Sequence, residues 1–151
     1  VVYWLLQSLV FVLLVSGSCY KCEEGWEQHG GKCYYFSISK SSWEQSRDEC
    51  RAKGGELVKI DSREEQTFLV RRLRVVMTEA EDKFWIGLTD SAVEGRCLWV
   101  DGSQLNQRFD CCENIFVNFL LEWWFDAFCS KPHRSICKKA GVRGKFKKVC
   151  D

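Results

Sequence analysis

At 151 residues and a net charge of +1, the chain fits one domain plus an appendage, and it has no overall field with which to gather nucleic acid or an acidic partner. Ten cysteines beside seven tryptophans and one proline describe a disulfide-stapled domain of an oxidising compartment. Zinc is disfavoured, because Cys19-Tyr20-Lys21-Cys22 is a C-x-x-C with no second pair to complement it.

Val1 to Val15 carries no charge and is interrupted only by Gln7 and Ser8; Ser16-Gly17-Ser18 then has the small residues of a signal-peptidase site. The run is shorter than the roughly 20 residues that span a bilayer comfortably. Residues 1–18 are therefore read as a signal peptide or a membrane anchor, both of which deliver the remainder outside the cytosol. From Cys22 to Phe36 the Gly30-Gly31 turn predicts a hairpin across which Cys22 and Cys33 can face each other. Ser41 with Glu44 fits a capping box for a first helix through Trp43, Arg47 and Cys50, ended by Gly54-Gly55. Glu56 to Ile60 alternates as a strand. Ser62 with Glu65 makes a second capping box, and Phe68, Leu69, Leu73 and Val76 form the apolar stripe of a second helix. Its other side carries Arg63, Arg71, Arg72 and Arg74, read as a solvated face.

The second half is strand-rich. Lys83 to Leu88 reads as a buried strand in which Gly87 marks the close approach of another backbone or a large ring. Leu98-Trp99-Val100 is a second strand, closed by the turn dipeptide Asp101-Gly102. Hairpin, helix, strand, helix and then strands define an α+β layout, two helices packed on small, mostly antiparallel sheets. Ile115 to Phe125 is a long apolar and aromatic run, of which an ordinary antiparallel strand would expose half. The residues outside the core pack on a shortened loop, form an exposed aromatic patch suited to a protein partner, or mark a strand compromised by a lost loop. Residues 138–151, with Lys138, Lys139, Arg143, Lys145, Lys147 and Lys148, read as a solvated basic tail.

These pieces, in this order, resemble the C-type lectin-like domain over about residues 22–137. The Cys22/Cys33 hairpin comes first, then Trp43 to Cys50, then Ser62-Arg63-Glu64-Glu65-Gln66. Trp85-Ile86-Gly87-Leu88 matches the family's most recognisable signature, followed by Trp99-Val100-Asp101-Gly102, Trp124-Phe125-Asp126, Cys129 and Cys137. Within the family the chain is most similar to vertebrate immune-cell surface receptor lectins, which gives a domain at 19–137. The resemblance implies disulfides Cys22–Cys33, Cys50–Cys137 and Cys111–Cys129, with Cys112 an alternative to Cys111. Cys19, Cys97 and Cys150 stay unassigned, and Cys19 is a candidate for an interchain bridge that would make a disulfide-linked dimer.

In sugar-binding members a Glu-Pro-Asn or Gln-Pro-Asp tripeptide and a later Trp-Asn-Asp hold calcium, whose 6–8 oxygen ligands two sugar hydroxyls complete. Here the one proline is Pro132, only Ser103 to Asp110 separate Gly102 from Cys111, and Phe125 replaces the ligand Asn. Asp126 is the one primary ligand that carries over; Glu113, Asn114 and Glu122 lie near it in sequence without a family match. No cofactor is expected, with calcium the alternative. His29 and His133 lack a nucleophile at a supporting spacing, so catalysis is not expected. The reading is an extracellular, secreted or type II membrane-anchored, non-enzymatic recognition domain of carbohydrate-binding ancestry. It takes a glycan or cell-surface protein independently of calcium and binds no nucleic acid. A calcium-dependent lectin built on Asp126, and a membrane-active or other secreted effector on the same fold, are the alternatives.

Overall fold

The computed structural model describes residues 19–90, 95–105, 112–118 and 121–143. Among these residues twelve elements follow in chain order: β1 (Tyr20–Lys21), β2 (Glu27–His29), β3 (Lys32–Phe36), α1 (Trp43–Ala52), β4 (Glu56–Leu57), α2 (Arg63–Val76), β5 (Phe84–Thr89), β6 (Leu98–Trp99), β7 (Cys112–Asn118), β8 (Leu121–Asp126), β9 (Arg134–Ala140) and β10 (Val142–Arg143). The main sheet runs β2-β3-β9-β5-β7-β8, with β4 paired to β9 and β6 to β5. Every pairing is antiparallel except β5–β9, where Phe84 lies opposite Arg134 and Trp85 opposite Ser135. Two helices on mostly antiparallel sheet is the α+β class that the sequence pattern predicts. Among the described residues no helix is long and apolar enough to cross a membrane, and the proposed leader at 1–18 lies outside them.

β5 is buried along its whole length, and its period-2 alternation divides the core. Phe84, Ile86 and Leu88 join Leu69, Val70 and Leu73 of α2 and Trp99 of β6. Trp85 joins Trp43 and Cys50 of α1, Leu57 and Cys137. Gly87 sits where β4 crosses this strand: its N–H donates to the Val58 carbonyl at 2.8 Å, and its own carbonyl accepts the Val100 N–H at 2.7 Å. The close backbone approach expected at Gly87 is thus the crossing of residues 57–58.

α1 starts one residue later than the sequence suggests. Ser42 is its N-cap, accepting the Gln45 N–H at 3.2 Å while the Gln45 side chain accepts the Ser42 N–H at 3.3 Å. Ser41 is unavailable, because it bridges His133 through both backbone bonds and its hydroxyl meets that of Ser46 at 2.8 Å. Ser62 caps α2 as expected, but Glu65 does not return the bond. Its carboxylate accepts the Asp61 N–H at 2.7 Å and the Tyr34 hydroxyl at 2.7 Å and pairs with Lys138 at 2.6 Å. Burial, followed by this bond to Glu65, pushes the Tyr34 phenol far above its ordinary value. Arg63, Arg71 and Arg74 are exposed as expected, whereas Arg72 forks onto Glu27 of β2 with two bonds of 2.6 Å.

The strand predicted over 56–60 is only two residues long, and the basic tail needs correction. Lys138 and Lys139 belong to β9, paired with Tyr34 and Cys33, and Val142 and Arg143 pair with Lys21 and Tyr20. The folded unit therefore extends through Arg143, because closing β1 onto β10 satisfies the backbone groups of both ends. Cys22–Cys33 and Cys50–Cys137 form as expected. Cys19, Cys97 and Cys129 are also disulfide-bonded, so Cys19 is not left over for an interchain bridge, a second correction. The expected partner of Cys129, Cys111, lies outside the described residues.

Candidate functional site

Two loops meet at one end of the sheet, residues 37–41 before α1 and residues 127–133 between β8 and β9. Both are pinned from below by buried tryptophans. The Trp85 indole N–H donates to the Ser41 carbonyl at 2.9 Å, and the Trp43 indole N–H donates to the Ile86 carbonyl at 2.8 Å. The Cys129 carbonyl accepts the Trp43 N–H at 2.8 Å, and the Lys131 N–H closes a turn onto the Phe128 carbonyl at 2.9 Å. Ser41 and His133 join the loops with bonds of 2.9 and 3.0 Å.

Arg134 locks the base of this construction. It donates to the carbonyls of Ser37 at 2.7 Å and Val76 at 2.9 Å, lies over the Phe84 ring at 4.4 Å, and pairs with Asp82 at 3.2 Å. Burial alone would raise the Asp82 pKa, but donors from Thr78, Glu79 and Arg134 outweigh it and hold the carboxyl below its ordinary value.

On this frame the aromatic side chains stand in water. Phe128 is 77% exposed, with the Lys131 ammonium 5.7 Å from its ring centroid, and Phe125 at the end of β8 is 45% exposed. One ring of the 115–125 run, Phe125, is thus part-exposed, and the loop after the strand adds a second exposed ring at Phe128. Phe128 escapes sequence reading because a single aromatic between Ala127 and Cys129 has no period. The available signal is its company, the polar Ser130 and Lys131 and the turn-forming Pro132.

Of the four predicted ligand-binding residues, Glu113 and Asp126 are directly opposed in the β7–β8 ladder. Asn114 is opposite Phe125, and Glu122 is opposite Val117, four residues or roughly 13 Å along β8 from Asp126. The ladder therefore places one pair of acidic residues opposite each other in register and leaves Glu122 further along the strand. Phe125 stands at the position from which the family's Asn supplies an amide oxygen. A half-exposed phenyl ring there offers a hard cation nothing, so this donor set does not fit a calcium site of the family's kind.

The two histidines pack against aromatic rings: His29 stacks on Phe68 at 4.0 Å, and His133 lies 4.8 Å from Trp85. Nε2 of His133 is buried without a hydrogen-bond partner. Burial, reinforced by Lys83, Lys131 and Lys40, lowers its pKa. A separate open cleft of about 420 Å³ lies beside β4 and the β6 turn. Its charges largely satisfy one another, Lys59 with Asp101 at 2.6 Å and Lys138 with Asp61 at 2.9 Å. The Lys59 ammonium, with Ser103, holds Asp101 well below the usual carboxylate range. That network fastens β4 and β9 to the turn.

A disulfide-stapled α+β domain that presents loops from buried tryptophans is a recognition scaffold in form, and comparison with known proteins identifies which one. The family model described as the Lectin C-type domain matches residues 39–139, and the chain belongs to that family. Hepatic lectin of Gallus gallus is 32% identical over 128 residues, covering 76% of this chain and 58% of the relative. CD209 antigen-like protein D of Mus musculus is 35% identical over 142 residues, covering 84% and 56%. The chain thus spans a little over half the length of the curated relatives it matches. Among solved structures, the mouse scavenger receptor C-type lectin carbohydrate-recognition domain superposes with a TM-score of 0.68 at 30% identity, covering 83% of this chain and 99% of that one. A calcium-independent type II antifreeze protein gives 0.68 at 29%, covering 82% and 97%. The likeness to vertebrate receptor lectins read from the sequence holds.

Proposed function

We propose that this chain is a non-enzymatic extracellular recognition domain of the C-type lectin family that binds its ligand, a glycan or a cell-surface protein, without calcium. The observation that carries the reading is the half-exposed ring of Phe125 in place of a ligand amide. Phe128, three residues further on, presents a second exposed ring against which a sugar ring or a protein side chain gains by contact. A neighbour of this fold described as calcium-independent supports the view that the scaffold stands without the metal. Extracellular placement is supported by the disulfides, which persist in oxidising compartments.

Melting the full chain in 1 mM calcium and then in chelator tests this. A site binding calcium at about 10 µM would add roughly 2.7 kcal/mol by mass action, a shift of several degrees. No shift is expected, with glycan-array or cell-surface binding retained in chelator. A calcium-dependent rise, with binding abolished by chelator, refutes the reading and returns Asp126 and Glu113 to the role of ligands.

A further inference from the structure

We infer that the solvent face of α2 is a docking surface for a sulfated polysaccharide chain, held by Arg63, Arg71 and Arg74. It lies on a different element from Phe125 and Phe128, so it is a second contact beside the recognition proposed above and does not depend on it.

Helix geometry sets the placement. At 3.6 residues per turn, Arg63, Thr67, Arg71 and Arg74 fall within about 80° of arc and rise about 16 Å along the axis. All four are exposed. The other side of α2 buries Leu69, Val70 and Leu73 in the core, and Ser62 caps its first turn. The spacing of the three guanidinium-bearing positions is therefore fixed before any ligand arrives.

A face that served solubility alone would set acid and base three or four residues apart. This one does not. The positions three and four residues from Arg63, Arg71 and Arg74 hold no acid in either direction, and Arg71 and Arg74 are themselves three apart, a repulsive spacing. Arg63 stands at the first residue of α2, where the helix dipole opposes a cation. Among the described residues none of the three forms an ion pair, whereas Arg72 on the flank forks onto Glu27. The one acid exposed on the helix is Glu64, at the margin of the stripe. Electrostatics are thus set against the helix at three positions with no compensation inside the fold, a pattern that belongs to surfaces with a ligand.

A linear polyanion answers that pattern. Guanidinium forks take oxyanions through two parallel bonds, and a row of three suits an extended chain. Screening over about 8 Å at physiological ionic strength lets this face act locally, although the whole chain carries only +1. A membrane fits less well, because an interfacial helix binds by burying its apolar side, and that of α2 is already in the core. A protein partner fits less well too. Interface centres are apolar and aromatic, and Val75 is the one large hydrophobic residue exposed on this helix.

The test titrates the full chain, in calcium and in chelator, with a size-defined heparin octasaccharide and its desulfated counterpart. A polyglutamate peptide of matching charge, and vesicles of phosphatidylcholine and phosphatidylserine in equal parts, serve as rival anions. The octasaccharide is expected to bind alike with and without calcium, and the desulfated chain not to bind. Exposed ion pairs are individually weak, so Arg63→Gln, Arg71→Gln and Arg74→Gln should each weaken binding about two- to fivefold, and the triple variant about tenfold or more. Lys145→Gln with Lys147→Gln and Lys148→Gln, in the basic stretch after β10, should change it less than about twofold. The triple α2 variant should melt at or above the wild type, since it removes repulsion and no ion pair. No binding of the octasaccharide, binding that needs calcium, loss in the Lys145 variant with none in α2, or equally tight binding of polyglutamate each overturns the inference. So does a triple variant that melts below the wild type, or vesicle binding that the α2 variant abolishes. Recognition at Phe125 and Phe128 is read separately, by glycan-array or cell-surface binding that the triple α2 variant retains in chelator.

Discussion

Gly87→Ala should be among the most damaging single-methyl additions in this protein. A Cβ at position 87 would lie 2.7 Å from the Leu57 carbonyl oxygen, 3.0 Å from that of Val58 and 3.1 Å from a Val100 methyl. Ordinary contact begins near 3.4 Å, so the tightest of these must open by 3.4 − 2.7 = 0.7 Å. Neither side can yield freely. Gly87 is bonded to Val58 at 2.8 Å and to Val100 at 2.7 Å, and β4 is held from behind by its pairing with Lys138 and Cys137. Overpacking costs about 1–3 kcal/mol, and a stranded buried backbone bond a further 1–3 kcal/mol, giving about 2–6 kcal/mol in total, centred near 4. With a urea m-value near 2 kcal/mol/M, the unfolding midpoint followed by tryptophan fluorescence should fall by roughly 2 M. Gly102→Ala is the control, since Gly102 has φ +84° but open space around it, and should cost only about 1–2 kcal/mol. A Gly87→Ala midpoint within about 0.5 M of wild type would refute the claim that crossing backbones, rather than chain flexibility, require glycine here.

Arg134→Ala should cost about 3–5 kcal/mol, because it leaves the Asp82 carboxylate buried without its cation; Arg134→Met should cost nearly as much although it keeps an apolar stem over Phe84. Chemical denaturation of the two variants checks this, and a loss below about 1 kcal/mol in both would mean the pair is not buried in solution. His133 and Asp82 should separate in pH. Both have folded pKa values below their unfolded ones, so each contributes stability at high pH that is lost on acidification. The His133 contribution should fade as pH drops below about 6.5, and that of Asp82 only below about 4. In a stability profile from pH 8 to 3, His133→Gln should flatten the upper slope alone; an unchanged slope would show that the ring is solvated in the native state.

Much of the architecture was legible because it is written in local patterns. The Trp85-Ile86-Gly87-Leu88 run, the Ser62 cap, the α2 stripe and the cysteine spacing each report a neighbour relation that short-range physics enforces, and in order they specified the fold. Boundaries were less legible. Ser41 and Ser42 are equally good caps in isolation, and only the long-range bridge to His133 removes Ser41 from the choice. Lys138 and Lys139 look like a solvated tail until β3 pairs with them and Glu65 and Glu23 neutralise them.

The candidate site divides in the same way. Chemical identity belongs to the sequence: one proline, a short loop and Phe125 where a ligand Asn would stand are statements about which atoms exist, and no folding gives a phenyl ring an oxygen. Position belongs to the tertiary structure. That Phe128 is 77% exposed and that Glu113 rather than Glu122 opposes Asp126 follow from strand register and from the Trp85 indole and the Trp43 backbone N–H, which hold loops 37–41 and 127–133. The contacts that hold the two loops, Trp85 to Ser41, Trp43 to Cys129 and Ser41 to His133, join residues 44 to 92 positions apart, and their geometry is fixed only when the core that separates them has packed.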